Sequence, residues 1–310
     1  MRLGAAPLDT AMSSLDALHA LCAASLDQLR AHRARLLARG DAESLHQMRV
    51  ALRRLRTAFG AFKRMLPRAA TERQLAEIRW LARALGEARD WNVFDASVLQ
   101  PALAEHRRQA GFPAVRRATT RLAERARARA RRAAASRRCE RLLLRLEVTA
   151  RGDWTARLAP AEARALRAPV PPYARDAIER RWRKVRKRGR GIARLDAGEL
   201  HRLRIAVKRL RYTALAFAPL FAARRTGAIL RDLEAMQDAL GGLNDCATAT
   251  RLVSKARATL SGVTTRQARK LLDERIEAGR REHRRALRPA WKALRSAPRF
   301  WIRQEEDKEK

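Results

Sequence analysis

Two stretches of the chain each place one histidine and a row of cationic side chains at helical spacing. Residues three and four positions apart lie on one face of an α-helix, so each row would present its cations together. Arginine and lysine in such a row donate charge-assisted hydrogen bonds to phosphate oxygens, and histidine adds a further donor. The first row is His46, Arg49, Arg53 and Arg56, and the second is His201, Arg204, Lys208 and Arg211. Both rows have the chemistry that binding of a polyanion requires.

Each row belongs to a predicted amphipathic helix. The apolar residues around the first row fall on one side of a helical wheel, away from the cations: Met48, Leu52, Leu55, Phe59, Phe62 and Leu66. Asp41 is a predicted N-cap and Pro67 ends the helix, which places it over roughly residues 42–66. Asp196 and Glu199 have the spacing of a capping box and open the second helix. The apolar sides need a core, and the cationic sides need water or an anion.

The second row repeats the first at an offset of 155 residues. Aligning residues 41–58 with 196–213 gives nine identities in eighteen positions. At the same offset, Ala84-Leu85-Gly86 matches Ala239-Leu240-Gly241, and Asp90 matches Asp245. An ungapped match over two separate blocks indicates a duplicated helical unit rather than shared composition. Two such halves packed about a pseudo-twofold axis would bring the two cationic rows toward each other.

The charge of the chain also indicates an anionic partner. Seventy lysines and arginines stand against 32 acidic residues, which gives a formal net charge of +38. Such an excess destabilises the compact state by self-repulsion, and a bound polyanion relieves it. Most of the cations are arginines, whose planar donors suit phosphate oxygens. Charge alone does not choose among DNA, RNA, polyphosphate and an acidic membrane.

The rest of the sequence predicts helices and a proline-rich boundary. The abundance of Ala, Leu and Arg favours helix, and no sustained alternation of β-branched residues favours strands. Further helices are expected over about 71–85, 93–108, 113–147 and 176–188, with a break near Gly86. Residues 168–172 are predicted to be an extended linker. The predicted division is a first half over 1–167, a second half over 173–300 and a charged tail over 301–310.

Cysteine content and hydropathy limit the cellular compartments in which the protein is expected. Cys22, Cys139 and Cys246 are isolated and odd in number, which predicts neither a disulfide framework nor a zinc site and favours a reducing cytoplasm. No apolar run approaches the ~18–20 residues of a membrane span. The N-terminal segment has acidic residues and no unbroken apolar core, so a signal peptide is not expected.

Several residues admit more than one interpretation. One histidine per helix is a poor metal site without nearby cysteines or paired acids, and phosphate binding or a backbone hydrogen bond fits His46 and His201 better. Asp90 and Asp245 are interpreted as structural groups that cap a helix or position an arginine of the rows. The arginine- and alanine-rich segment 121–141 is the best sequence argument for nucleic acid. No recognition-helix motif, zinc finger or leucine zipper accompanies it, and few aromatic residues remain for base stacking.

These paired blocks resemble the CHAD family, the conserved-histidine α-helical domain. The first block has His46, Arg49, Val50, residues 53–56, Leu85-Gly86 and Arg89-Asp90, and the second has His201, Arg204, Ile205, residues 208–212, Leu240-Gly241 and Asn244-Asp245. The resemblance covers about residues 10–290. It implies two similar four-helix bundles around a basic central groove or pore, binding of inorganic polyphosphate there, and recruitment to polyphosphate granules. Some members also have a triphosphate-hydrolysing tunnel domain marked by alternating glutamates, which this sequence does not match, so a stand-alone CHAD protein is expected.

The sequence therefore predicts an all-α protein that binds polyphosphate in the cytoplasm without catalysis, cofactor, metal or membrane. The eight residues of the two rows are expected to line a shared basic cavity. Residues at its edges are predicted to be Arg54, Arg209, Lys63, Arg33, Lys187 and Arg188. General binding of nucleic acid is the first alternative, and a polyphosphate-processing enzyme is the second.

Overall fold

The computed structural model describes residues 8–152, 154–155, 158–257 and 262–302, and the regular structure in these ranges is helical. The prediction of an all-α fold is confirmed. An isolated β-bridge joins Ser13 to Pro169. The α-helices are α1 (Ser14–Arg39), α2 (Ala42–Phe62), α3 (Arg68–Ala84), α4 (Gly86–Phe94), α5 (Gln100–Glu105), α6 (Phe112–Ala135), α7 (Arg137–Arg151), α8 (Pro160–Arg167), α9 (Val170–Arg188), α10 (Ala197–Phe217), α11 (Ala223–Arg257) and α12 (Val263–Ser296).

The two helices that carry the cationic rows, α2 and α10, begin with the predicted caps. The Asp41 side chain accepts the backbone N–H of Ser44 at 2.6 Å. The Asp196 side chain accepts the N–H of Glu199 at 2.7 Å, and Glu199 accepts that of Asp196 at 2.9 Å, which completes the capping box. Both helices are 21 residues long. Their starts match because local capping chemistry determines where each helix begins.

The predicted halves meet through equivalent elements. Helix α2 packs against α10, and α4 packs against α11. Phe62 of α2 stacks on Tyr173 of α9 with ring centroids 5.0 Å apart, and the Tyr173 hydroxyl donates to the carbonyl of Ala61 at 2.6 Å. Contact between equivalent elements is what a pseudo-twofold relation requires. The duplication and the central pore stay predictions.

The extended linker is shorter than predicted. Helix α9 begins at Val170, so Pro171 and Pro172 lie in its first turn, where a missing backbone N–H breaks no helical hydrogen bond. The extended segment is tied to the start of the chain, because Ser14 N–H donates to the Ala168 carbonyl at 2.9 Å and Val170 N–H donates to the Met12 carbonyl at 3.0 Å. Residues 168–172 are thus not a free spacer between the halves.

The predicted start of the charged tail is also wrong. Trp301 is 2% exposed, and its indole N–H donates to Glu179 at 2.9 Å. Its ring packs edge-on against Trp182 of α9 at 6.1 Å between centroids. Trp301 therefore belongs to the core of the second half. Residues 303–310 lie outside the described ranges.

Several predicted helix boundaries differ from the structure, and α2 ends at Phe62 rather than near residue 66. Near Gly86 the chain remains helical in conformation, and the Leu85 N–H donates to Leu81. The predicted helix over 113–147 is divided at Ser136, whose hydroxyl caps α7 by accepting the N–H of Cys139 at 3.3 Å. Between α4 and α5 the residues Asp95–Leu99 form a π-helical segment beside Pro101, which lacks a backbone N–H.

None of the helices in the described ranges is long and apolar enough to cross a membrane. The three cysteines are free and buried.

Candidate functional site

The packing of α2 against α10 gathers cations from both rows into one place. We define the central cluster as Arg49 and Arg53 of α2, Arg89 of α4, and Arg204 and Lys208 of α10. The positive charges of Arg204, Arg53 and Arg49 all lower the pKa of Lys208. Those of Arg53, Arg89 and Arg204 lower the pKa of Arg49. The predicted meeting of the two rows therefore occurs at these positions, and the fourth-helix residue Arg89 joins them.

In the central cluster, burial and repulsion between neighbouring cations disfavour the charged forms of Lys208 and Arg49. Burial is the main cause that lowers the pKa of Lys208 to about 7, and Arg204 and Arg53 add to it. Burial likewise lowers the pKa of Arg49 to about 10. The Nε atoms of Arg49 and Arg204 are buried without a hydrogen-bond acceptor among the described residues. An anion placed here would accept these donors and relieve the repulsion.

Two carboxylates lie beside the central cluster and attract its cations. Asp90 of α4 attracts Arg49 and Arg204, and it forms an ion pair with Arg251 at 3.3 Å. Burial raises the pKa of Asp90, and the nearby Asp245 adds to that effect. Asp90 lies within α4 and Asp245 within α11, so neither caps a helix. The interpretation of both as positioning groups for the arginines agrees with these contacts.

A second group of arginines continues from the central cluster. We define the flanking cluster as Arg56 of α2, Arg79 of α3, Arg181 of α9 and Arg209 of α10. The pKa of Arg56 is lowered first by burial and then by the charges of Arg209, Arg79 and Arg53. Burial lowers the pKa of Arg181 to about 10, and Arg209 contributes. Because Arg53 interacts with both groups, the two clusters form one basic track across the junction of the halves.

Arg53 is held in this track by Tyr212. The Arg53 Nε donates to the Tyr212 hydroxyl at 3.0 Å, and its guanidinium carbon lies 5.6 Å from the ring centroid. The two residues come from opposite predicted halves, so the contact fixes the guanidinium at their junction. Tyr212 follows the second cationic row directly in the sequence, but its partnership with Arg53 depends on the packing of α2 against α10.

Besides Arg53, six predicted site residues have side-chain donors engaged within the protein, and one of them is Arg49 of the central cluster, whose Nη1 donates to the Ala82 carbonyl at 2.8 Å. Arg211 is only 12% exposed and forms an ion pair with Glu234 of α11. Arg33 donates to the Ala134 carbonyl at 2.7 Å and to Glu140 at 3.1 Å, so it stabilises the contact of α1 with α6 and α7. The other three are Arg54, which donates to Gln28; Lys63, which lies 3.4 Å from Glu72; and Arg188, which donates to the Arg202 carbonyl at 3.1 Å. Lys187 is exposed near the end of α9.

The two histidines of the rows have different environments. His46 is half-buried beside the central cluster, and burial followed by the charges of Arg89 and Arg53 lowers its pKa. His201 is exposed and lines a cavity of about 660 Å³ between α10, α11 and α12. Arg204 lines the same cavity, as do four arginines of α12 that the sequence did not identify: Arg280, Arg281, Arg284 and Arg285. Their closeness to the rows depends on where α12 packs, which no local pattern records.

The comparisons with known proteins agree with the fold. A family model of the CHAD domain matches residues 20–254. The chain belongs to the CHAD family. The crystal structure of the CHAD domain from the plant Ricinus communis is similar over 97% of this chain and 98% of that chain, with a TM-score of 0.79 and 28% identity.

A second solved structure supports the same CHAD fold. PptA from Streptomyces chartreusis is similar over 90% of this chain and 99% of that chain, with a TM-score of 0.68 and 19% identity. No curated protein matches the sequence. Family and fold are thus established, and the residues that bind a ligand are inferred from the geometry of the basic track.

Replacing Lys208 by Met is expected to stabilise the ligand-free CHAD protein. The folded pKa of about 7 lies below the ordinary 10.5, so Lys208 lowers stability as pH falls from the higher value to the lower one. Methionine removes this cost, and we expect the melting temperature near pH 7 to rise by about 2–4 °C, the shift that ~1 kcal/mol produces in a domain of 150–250 residues. Thermal melts near pH 7 and pH 10 measure the effect, which shrinks at the higher pH.

Lys184→Met is the control for this stability prediction, because Lys184 is an exposed lysine of α9. It should leave the melting temperature nearly unchanged at both pH values. A lower melting temperature for Lys208→Met near pH 7 would contradict a destabilising charge at position 208.

Proposed function

We propose that this CHAD protein binds inorganic polyphosphate in the basic track without catalysing a reaction. The observation that carries the proposal is the central cluster, in which Lys208 and four arginines from three helices converge. Burial and repulsion disfavour the charge of Lys208 and those of Arg49, Arg89 and Arg204. Such an arrangement is costly in the free protein and favourable around a bound polyanion. Polyphosphate carries a negative oxygen on every unit, so one chain can accept donors from many cations at once.

The extent of the track favours a linear polyanion over a single phosphate. Its cations come from α2, α3, α4, α9 and α10, and Arg53 interacts with cations of both the central and the flanking cluster. A single phosphate would contact only a few of these donors. A chain lying along the junction would contact both clusters and release counterions, so its binding should weaken with salt.

General nucleic-acid binding has less support from α6 than the sequence suggested. Arg129 pairs with Glu87 at 2.6 Å, Arg127 donates to Asn92 at 3.3 Å, and Arg131 donates to the Leu37 carbonyl at 2.9 Å. Three of the arginines expected to contact a phosphate backbone are thus engaged within the protein. Near the track, the Tyr212 hydroxyl already accepts a hydrogen bond from Arg53, and the ring lies 5.6 Å from the guanidinium carbon.

The acids beside the track favour binding over catalysis. Asp90 and Asp245 both lie close to guanidinium groups, which suits a positioning role better than that of a general base. The enzyme alternative predicts phosphate release from polyphosphate in the presence of a divalent metal ion. Binding without release is the outcome that the proposal requires. Recruitment to polyphosphate granules is a further part of the proposal, based on the family resemblance.

Long-chain polyphosphate is expected to remain bound when duplex DNA is added at equal phosphate concentration. Fluorescence anisotropy with labelled polyphosphate measures the competition, repeated at several salt concentrations because both ligands bind partly through counterion release. Unlabelled polyphosphate is the positive control for displacement. Displacement by DNA as effective as by polyphosphate would replace this proposal with general nucleic-acid binding.

A further inference from the structure

The cavity between α10, α11 and α12 adjoins the basic track at Arg204, but its inner surface is different. Its inner wall is aliphatic and includes Leu200, Leu240 and Leu243, of which the first two are buried. Ala197 and Ala247 are small residues at its edge. A volume of about 660 Å³ falls within the range of roughly 300–1,000 Å³ typical of small-molecule sites. The cavity therefore offers an apolar surface that inorganic polyphosphate, which has no apolar part, cannot use.

The mouth of this cavity is cationic. Arg280 and Arg284, like Arg281 and Arg285, are four positions apart on α12, where like charges repel. Arg280 has an ion pair with Glu277 at 3.3 Å, and Arg284 donates to the carbonyls of Ala193 and Leu195. The Arg281 and Arg285 guanidinium groups have no acidic or hydrogen-bond partner among the described residues. The guanidinium groups of these two arginines are therefore free to bind an anionic head group.

We propose that the cavity binds a small amphipathic anion, an aliphatic chain with a phosphate or carboxylate head. The chain would pack on Leu200, Leu240 and Leu243, and the head group would accept hydrogen bonds from Arg281 and Arg285. Each buried CH₂ of such a chain contributes about 0.8 kcal/mol. The residues that line the cavity include no Phe, Tyr or Trp, and their aliphatic wall favours an aliphatic ligand over a nucleotide.

The test uses dodecyl phosphate and dodecanoate, each below the concentration at which it forms micelles. Ala247→Trp places a large side chain in the cavity from an exposed position of α11, and we expect it to weaken binding of at least one probe by about tenfold or more. Ala235→Trp introduces the same residue at an exposed position of α11 outside the cavity and should not change the affinity. Isothermal titration calorimetry measures both.

A second pair of variants tests the head-group contacts. Arg281→Gln with Arg285→Gln removes the free cations of the mouth, and we expect the affinity for the charged probe to fall at least about tenfold, the effect of ~1.4 kcal/mol. Arg266→Gln with Arg288→Gln removes two exposed charges of α12 outside the cavity and controls for net charge. Comparison of dodecyl phosphate with dodecanoate identifies the preferred head group.

Three results would overturn the amphipathic-anion proposal. One is equal affinity of Ala247→Trp and Ala235→Trp for both probes, and another is equally tight binding of an uncharged dodecyl glycoside. The third is displacement of both probes by ATP at lower concentration, which would assign the cavity to nucleotides. Long-chain polyphosphate binding is measured on the same variants. Ala247→Trp should leave it unchanged, so failure of this proposal is distinguishable from failure of the basic track.

Discussion

Replacing Arg53 by Gln and Lys208 by Met in one chain is expected to weaken polyphosphate binding at least about 100-fold. Hydrogen bonds to charged groups contribute about 1.5–3 kcal/mol each, so the loss of two gives at least a factor of this size. The two positions are equivalent in the predicted repeat and lie together in the central cluster. Anisotropy titration with labelled long-chain polyphosphate measures the loss, and a thermal melt verifies that the variant is folded.

The matched control for this central-cluster variant is Arg125→Gln with Arg132→Gln. Both arginines are exposed on α6, within the segment that the sequence linked to nucleic acid. The two double variants lose the same formal charge, so long-range attraction is equal and only the local contacts differ. We expect the control to bind within about threefold of the natural protein, a difference of ~0.6 kcal/mol. Strong loss in the control with little loss in the central-cluster variant would place the binding surface on α6.

Polyphosphate affinity is expected to fall as pH rises above about 7 because of Lys208. In the free protein, burial and neighbouring cations hold the pKa of Lys208 at about 7. A polyanion beside the ammonium raises that pKa, since negative charge favours the protonated form. Above about pH 7, the complex therefore holds more protons than the free protein. Because binding then takes up as much as one proton, the affinity falls by up to about tenfold per pH unit.

The control for this pH dependence is Lys208→Arg, which places at position 208 the residue that occupies the equivalent position 53. Arginine stays protonated over the range from about pH 7 to pH 9, so the proton-linked loss of affinity should disappear. Calorimetry in buffers of different ionisation enthalpy counts the protons taken up. The pKa of His46 is lowered from 6.5 in the free protein, and any proton that His46 takes up on binding would remain in Lys208→Arg, which separates it from that of Lys208. An unchanged slope in Lys208→Arg would exclude Lys208 as the source.

The fold of the cationic helices was predictable because local chemistry determines them. Asp41 and Asp196 satisfy backbone donors at helix starts, and the spacing of apolar residues selects one buried face. The predictions were wrong where one sequence pattern is compatible with two different structures. Pro171 and Pro172 fit an extended linker and the first turn of a helix equally well, and α9 shows the second. Trp301 lies just before a charged stretch of the sequence but packs on Trp182 in the fold.

Membership of the basic track was only partly predictable. A guanidinium on a helix surface has the same sequence signature whether it faces a ligand, water or a nearby acid. Thus Arg211 and Arg33 were expected near a polyanion, and the structure pairs them with Glu234 and Glu140. Four members or partners of the track were not identified as site residues from the sequence: Arg79, Arg89, Arg181 and Tyr212.

The sequence by itself determined that the protein is helical, strongly cationic and built around two rows of cationic side chains, each headed by a histidine. It did so because helix caps, apolar periodicity and charge are local properties of the chain. The tertiary structure decided which cations converge, that α2 and α10 hold Arg53 and Lys208 together, and that α12 closes an aliphatic cavity beside Arg204. These outcomes depend on burial and on contacts between distant segments, which change the energy of a charge without changing the residue that carries it.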